Sequence, residues 1–147
     1  VNGVALWSSK SGKVALLKKV PLFQGLSDRQ LQQVAQLAEE VDVQAGKRLA
    51  AVGDIGHELF VIANGEATVK TRDGRTSRLR AGEFFGEMSL IDGGPRSATI
   101  ESVSPMKLLV IGHREFWSLL HTAPQLSAKL MRMLSQRLRE AERAHTA

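Results

Sequence analysis

Within the stretch GEFFGEMSLIDGGPRSATI, from Gly82 to Ile100, a carboxylate at Glu87 and a guanidinium at Arg96 sit close in the chain. Gly86-Glu87-Met88-Ser89-Leu90 reads as a loop that opens one turn of helix. The N–H groups at the start of such a turn have no partner within it, so they face outward as an anion site. Gly86 lets the backbone approach a ligand closely. Gly93 and Gly94 end the turn, and Pro95 fixes the chain ahead of Arg96. Arg96 supplies a planar, permanent positive charge. Ser97 adds a hydroxyl, and the N–H groups of Ser97 and Ala98 are further donors. Glu87 is out of place in a plain phosphate site, where it repels the anion. It fits if it accepts a hydrogen bond from a neutral hydroxyl on the same ligand. Phosphate beside a free hydroxyl describes a ribose phosphate. A blander role stays open, in which Glu87 pairs with Arg96 and only holds the loop shut.

The surrounding chain supplies the frame. Lys10 to Val20 has helical spacing, after a loose end at residues 1–9. Ser27 with Gln30 forms a capping box for a second helix that runs to about Glu39. From Glu40 to Val110 the period changes to that of strands. Val41 and Val43 alternate, as do Leu49 and Ala51. Glu58 to Ile62 is a short apolar run that reads as a buried strand. Asn64-Gly65 and Asp73-Gly74 are hairpin signals. Gly46, Gly53, Gly65 and Gly74 fall where turns need positive φ. Strands also follow at Ser77–Arg80, Thr99–Val103 and Met106–Ile111. Seven or eight short strands at this spacing predict a β-sandwich or jelly roll. Helix returns at His113 to His121. Thr122 is read as the cap of a last helix, with Pro124 in its first turn and Gln125 completing a box. Leu126, Leu130, Met133 or Leu134, and Leu138 form its apolar stripe.

Composition narrows the function classes. At 147 residues one domain is the natural prior. There is no cysteine, which removes thiol nucleophiles, disulfides and Cys-based zinc sites and suits a reducing cytoplasm. No apolar run approaches the ~20 residues of a membrane span. The net charge of +5 is spread among acids and suits an anionic ligand better than direct nucleic-acid binding. His57, His113, His121 and His145 have no metal-ligand spacing, and Ser11-Gly12-Lys13 is no P-loop. Asp54, Glu58 and Asp92 read as turn or surface residues. Nothing here would cleave a ligand, so the chain reads as a binding module, not an enzyme, with no metal.

F-G-E-x-S-L followed by D-G-G-P-R-S-A-T, unbroken from Phe85 to Thr99, resembles the phosphate-binding cassette of the cyclic nucleotide-binding domain family. PLFQGLSDRQLQQVA resembles the family's entry helices less specifically. The resemblance implies an α+β, mainly β fold: an eight-stranded jelly-roll β-barrel with N-terminal helices, a C-terminal helix pair and the cassette between barrel strands. Its parts are a tail and helix at 1–20, the β-roll at 21–112 with the cassette at 82–100, and C-terminal helices at 113–147. It further implies that Glu87 takes the ribose 2′-hydroxyl and Arg96 the exocyclic phosphate oxygens. Gly86 and Ser89 lie along the sugar-phosphate, and Ser97 and Ala98 donate to phosphate. Met88, within the ligand-binding cassette, reads as a packing residue of it, and one of Phe84 and Phe85 is expected to pack in the core.

Members favouring cGMP often carry Thr where Ser97 stands, so the ligand reading leans to cAMP over cGMP. The base contact is open between Glu142, Arg132 and Arg137. The expected role is a cytoplasmic sensor that repositions its last helix and signals to a downstream protein. That helix either packs on its own barrel or forms a homodimer, as it does in the family's activators. The activators continue into a DNA-binding domain, whereas Ala147 ends this sequence. Two other readings stay open: a protein-interaction scaffold with a degenerate or occupied pocket, and a transcription regulator lacking its winged helix.

Overall fold

The computed structural model describes residues 10–146. The expectation for residues 1–9 lies outside it, as do the side chains of residues 10, 11, 88–90 and 144–147. The described residues begin with two helices, α1 (Lys10–Leu17) and α2 (Asp28–Leu37), with a 3-10 turn at Pro21–Phe23 between them. The Ser27–Gln30 capping box forms in both directions: the Gln30 N–H donates to Ser27 Oγ at 3.2 Å, and the Ser27 N–H to Gln30 Oε1 at 2.9 Å. Lys13 Nζ donates to Ala35 O and Ala38 O at 3.2 and 3.0 Å. It thus occupies carbonyls that the end of α2 leaves without helical partners. The helix stops two residues before the expected Glu39, because Ala38 turns extended and Glu39 pairs with Val110.

Eight strands follow: β1 (Glu39–Val43), β2 (Arg48–Ala50), β3 (Glu58–Asn64), β4 (Glu66–Thr71), β5 (Thr76–Arg80), β6 (Phe84–Phe85), β7 (Ala98–Ser102) and β8 (Met106–Gly112). The short α3 (Glu87–Asp92) lies between β6 and β7. The strands build two four-stranded antiparallel sheets, ordered β1-β8-β3-β6 and β2-β7-β4-β5. This is the jelly-roll arrangement expected, with the cassette between strands and α4 (His113–Thr122) and α5 (Pro124–Thr146) after them.

In the first sheet β3 and β8 are buried on both faces, which explains the nearly unbroken apolar run in β3. Leu59 and Val61 of β3, with Leu109 and Ile111 of β8, pack against Leu17, Phe23, Val34, Phe116 and Leu126 of the helical layer. Ile62 and Leu108 turn the other way, into the roll with Ala67, Phe85 and Ile100. Each such fully buried Leu, Ile or Phe contributes roughly 1.5–3 kcal/mol.

Three local expectations are corrected. Asp73-Gly74 closes the β4–β5 hairpin, but Asn64-Gly65 does not close one. β3 and β4 belong to different sheets, and Gly65 is the corner where the chain crosses between them. Gly65 has φ +95°, and a Cβ there would stand 2.4 Å from the Pro105 carbonyl oxygen. In β2 the buried residue is Ala50, not Ala51, because the pairing with β7 shifts register between Arg48 and Ala50. Finally, Thr122 does not cap α5. Its hydroxyl donates back to carbonyls of Ser118 and Leu119 in α4, and Gln125 donates to Gln30 at 2.8 Å instead of completing a box. The α5 stripe holds from Leu126 through Leu134, while Leu138 is 61% exposed.

Candidate functional site

The backbone places Arg96 before any side chain acts. Its N–H donates to Asp54 O at 2.7 Å, and its carbonyl accepts from the Gly53 N–H at 2.9 Å. Ile55 bridges to Pro95 beside them. From this anchor the Arg96 side chain runs inward between Gly56 and Gly86. Nη1 donates to Gly86 O at 3.3 Å and Nη2 to Glu58 O at 3.2 Å. The Glu58 carboxylate lies 3.7 Å from Nη2, and the Phe60 ring 5.5 Å from the guanidinium carbon. Both glycines are required. A Cβ on Gly56 would stand 2.0 Å from Arg96 Nε. On Gly86 it would stand 2.5 Å from Nη1 and 2.6 Å from Glu58 O, at a φ of +93° that side chains disfavour.

Arg96 is 7% exposed. Burial pulls its pKa down, while the carboxylates of Glu58 and Glu87 push it back up. A guanidinium stays charged through such opposing effects. The result is a caged cation whose lost hydration has been replaced by two carbonyls and the Glu58 carboxylate.

Glu87 is the first residue of α3 and is also 7% exposed. It does not pair with Arg96. Its Oε1 accepts from Nη1 of Arg137 on α5 at 2.6 Å. Arg137 also donates to Phe84 O at 3.1 Å and lies over the Phe84 ring at 4.2 Å. The loop-closing Glu87–Arg96 pair is therefore replaced by a contact that reaches across to α5.

Arg96, Glu87, Gly86, Ser97, Ala98 and Arg137 line one cavity of about 180 Å³. Its floor is apolar: Ala50, Val69, Leu79, Ile100 and the two phenylalanines. Ser77 of β5 adds a hydroxyl at the rim. Both Phe84 and Phe85 are buried, and Phe85 stacks on Phe60 with ring centroids 4.7 Å apart. A guanidinium and a carboxylate converging over an apolar floor suit a ligand with an anionic group, a neutral hydroxyl and a flat apolar part. A larger groove of 450 Å³ lies at the β1–β8 edge, but its cation, Lys107, is held by Asp42 at 3.3 Å.

Of the expected site residues, Gly86, Glu87, Arg96, Ser97 and Ala98 come together at this cavity. The side chains of Met88 and Ser89 lie outside the described residues. Of the three base-contact candidates, Arg137 lines the cavity. Gly56 and Glu58 were not read from the sequence as parts of the site. Their role depends on contacts with Arg96, far along the chain. Among the described residues, no group of three or more His, Asp or Glu could hold a metal ion, and no helix is long and apolar enough to cross a membrane.

Comparison with known proteins places this geometry in a family. Residues 40–123 match the family model described as "Cyclic nucleotide-binding domain". A cyclic nucleotide-gated potassium channel of Rhizobium etli is 34% identical over 83% of this chain and 34% of its own length. The cyclic AMP receptor protein of Thermus thermophilus is 33% identical over 86% of this chain and 61% of its own length. The chain thus spans between a third and about three fifths of these relatives. The solved structure of the Thermus thermophilus catabolite activator protein superposes with a TM-score of 0.78 at 30% identity, covering 86% of this chain and 62% of that one. The jelly roll, the cassette between β6 and β7, and the matched span agree: this chain belongs to the cyclic nucleotide-binding domain family.

Proposed function

We propose that this chain is a cytoplasmic, non-enzymatic sensor that binds a 3′,5′-cyclic nucleotide, cAMP in preference to cGMP. The observation that carries this is the caged Arg96 guanidinium lining the same cavity as the buried Glu87 carboxylate. Arg96 takes the exocyclic phosphate oxygens, helped by the N–H groups of Ser97 and Ala98. Gly86 and Ser89 run along the sugar-phosphate, with Met88 packing the cassette beside them. A 3′,5′-cyclic nucleotide keeps only its 2′-hydroxyl free, and Glu87 accepts from it. The base lies over the apolar floor near Val69 and Leu79. Ser97, where members favouring cGMP often carry Thr, supports cAMP, as does the similarity to a protein named for cyclic AMP. Binding repositions α5, which signals to a downstream protein. Met131 and Leu138, seven residues apart on α5 and 65% and 61% exposed, are the surface through which a second copy would pair.

The experiment is calorimetric titration with cAMP, cGMP and 2′-deoxy-cAMP, with Arg96→Ala beside the wild type. cAMP is expected to bind more tightly than the other two. Removing one partner of a buried charge pair costs about 2–5 kcal/mol, so Arg96→Ala is expected to lose about thirtyfold or more in affinity. If neither cyclic nucleotide binds at micromolar concentration, the sensor reading fails and a scaffold role takes its place.

A further inference from the structure

The net charge of +5 sorts by layer. The helical segments, residues 10–38 and 113–146, hold eleven Lys and Arg against four Asp and Glu. The strand region, residues 39–112, holds nine against eleven. The whole excess therefore lies in the layer that covers the first sheet. Within it the cations gather where α2 meets α5. Gln125 donates to Gln30 at 2.8 Å and joins the first turns of the two helices. No acid occurs from Arg29 to Leu37, nor from Pro124 to Arg139. Asp28, at the head of α2, is held by Lys18 at 3.3 Å. Gln125, Lys129, Arg132, Gln136 and Arg139 recur every three or four residues, so they share one side of α5. Arg29, Arg132 and Arg139 are exposed and Lys129 is half-buried. Among the described residues none of these four forms an ion pair. Cations grouped without neutralising acids attract an anionic partner.

The makeup of this seam selects among such partners. A helix that lies on a bilayer sets apolar side chains opposite its cations, with a wide face to bury. The exposed apolar residues of α5, Met131 and Leu138, are two single side chains. Each precedes an arginine in sequence and so points roughly 100° away from it round the helix. Nucleic-acid sites build affinity on roughly 6–10 phosphate contacts, and four cations fall short of that. Carboxylates along a peptide suit guanidiniums, which bind them in a planar fork. The glutamine amides between them both donate to and accept from a peptide backbone. Leu37, 39% exposed and two turns beyond Gln30 on the same side of α2, offers one apolar foothold.

We infer that the seam between α2 and α5 is a docking surface for an acidic segment of another protein. Arg29, Lys129, Arg132 and Arg139 meet its carboxylates, and Leu37 takes one apolar side chain. This gives the chemistry of the downstream protein in the proposed function, and it rests on that reading only in calling the partner downstream. The surface needs no nucleotide, and it leaves the Met131–Leu138 flank to a second copy. Each exposed ion pair adds little alone and is weakened by salt. Grouped, they steer the encounter and set its register.

The test is fluorescence anisotropy without nucleotide, using a fluorescein-labelled poly-glutamate peptide that carries one leucine. The wild type is expected to bind it, and more weakly as salt is raised. Arg132→Glu/Arg139→Glu is expected to bind about tenfold less tightly or worse, because attraction becomes repulsion at two positions. Lys47→Glu/Lys70→Glu makes the same change in net charge at exposed residues of the strand region and is expected to match the wild type. Thermal unfolding checks that both stay folded, and Arg132→Gln/Arg139→Gln, with a smaller loss expected, serves if the glutamate variant does not. Equal losses in the two charge reversals overturn the inference, since net charge alone would then explain the binding. Tighter binding to phosphatidylglycerol vesicles or to a DNA oligonucleotide at the same salt, lost in the same variant, also overturns it and assigns the seam to that partner. A wild type that ignores the peptide overturns the docking surface and leaves the sensor reading intact. Failure to bind cyclic nucleotides sinks the sensor reading and leaves the peptide titration unaffected.

Discussion

Replacing Gly56 with alanine would move the Arg96 guanidinium without deleting it. The new methyl carbon would stand 2.0 Å from Arg96 Nε and 2.2 Å from both Cζ and Nη2, far inside the ~3.5–4.0 Å of ordinary carbon contacts. Gly56 is not among the glycines with positive φ, so its backbone accepts alanine without conformational strain. What yields is the far end of a flexible side chain. The displaced guanidinium gives up its bonds to Gly86 O and Glu58 O, 3.3 and 3.2 Å long, and with them its aim into the cavity. A hydrogen bond to a charged group contributes about 1.5–3 kcal/mol, and each 1.4 kcal/mol is about tenfold in affinity. Losing one such bond to the ligand phosphate predicts cAMP binding about ten- to a hundredfold weaker, read by calorimetry on protein whose cooperative thermal unfolding is retained. A folded Gly56→Ala protein with wild-type affinity would refute the reasoning, because the position of Arg96 would then be irrelevant to the ligand.

Two further outcomes concern the frame. At Gly65 the obstacles to a Cβ include backbone, Pro105 O at 2.4 Å and Met106 Cα at 2.9 Å, whereas Gly74 has similar φ with nothing within 4 Å. Gly74→Ala is therefore expected to cost about 1–2 kcal/mol of left-handed strain and Gly65→Ala clearly more. Equal losses in urea titrations would count against the corner assignment. Glu66 is held below the usual carboxylate range by hydrogen bonding from Arg78, opposed by burial and reinforced by Arg80. A depressed folded pKa stabilises above the unfolded value of about 4.3, and that contribution is lost as pH falls through the folded value. The stability gap between wild type and Glu66→Gln should thus close in acid. A gap unchanged below the folded value would rule out the ion pairs as its source.

The cassette was legible because its function is carried by consecutive residues. Gly86, Glu87, Arg96, Ser97 and Ala98 lie on one short stretch, and each residue type states its chemistry. What was missed is held at long range. Gly56 looks like an ordinary turn glycine until the Arg96 guanidinium is seen against it. Arg137 was named only as one of three candidates for the base; its hold on Glu87, one helix and two strands away in sequence, is a contact that periodicity does not show. Asn64-Gly65 misled because a chain crossing between sheets asks for the same left-handed glycine as a hairpin. Thr122 misled because its hydroxyl found nearer acceptors in the helix it ends.

The two-sided burial of β3 has a mechanical meaning. Phe60 faces the roll, within 5.5 Å of the Arg96 guanidinium, while its neighbours Leu59 and Val61 are embedded among the helices. The strand is a one-residue-thick partition. Any displacement of its backbone by whatever fills the roll presses at once on the opposite layer, where the root of α5 is seated through Leu126.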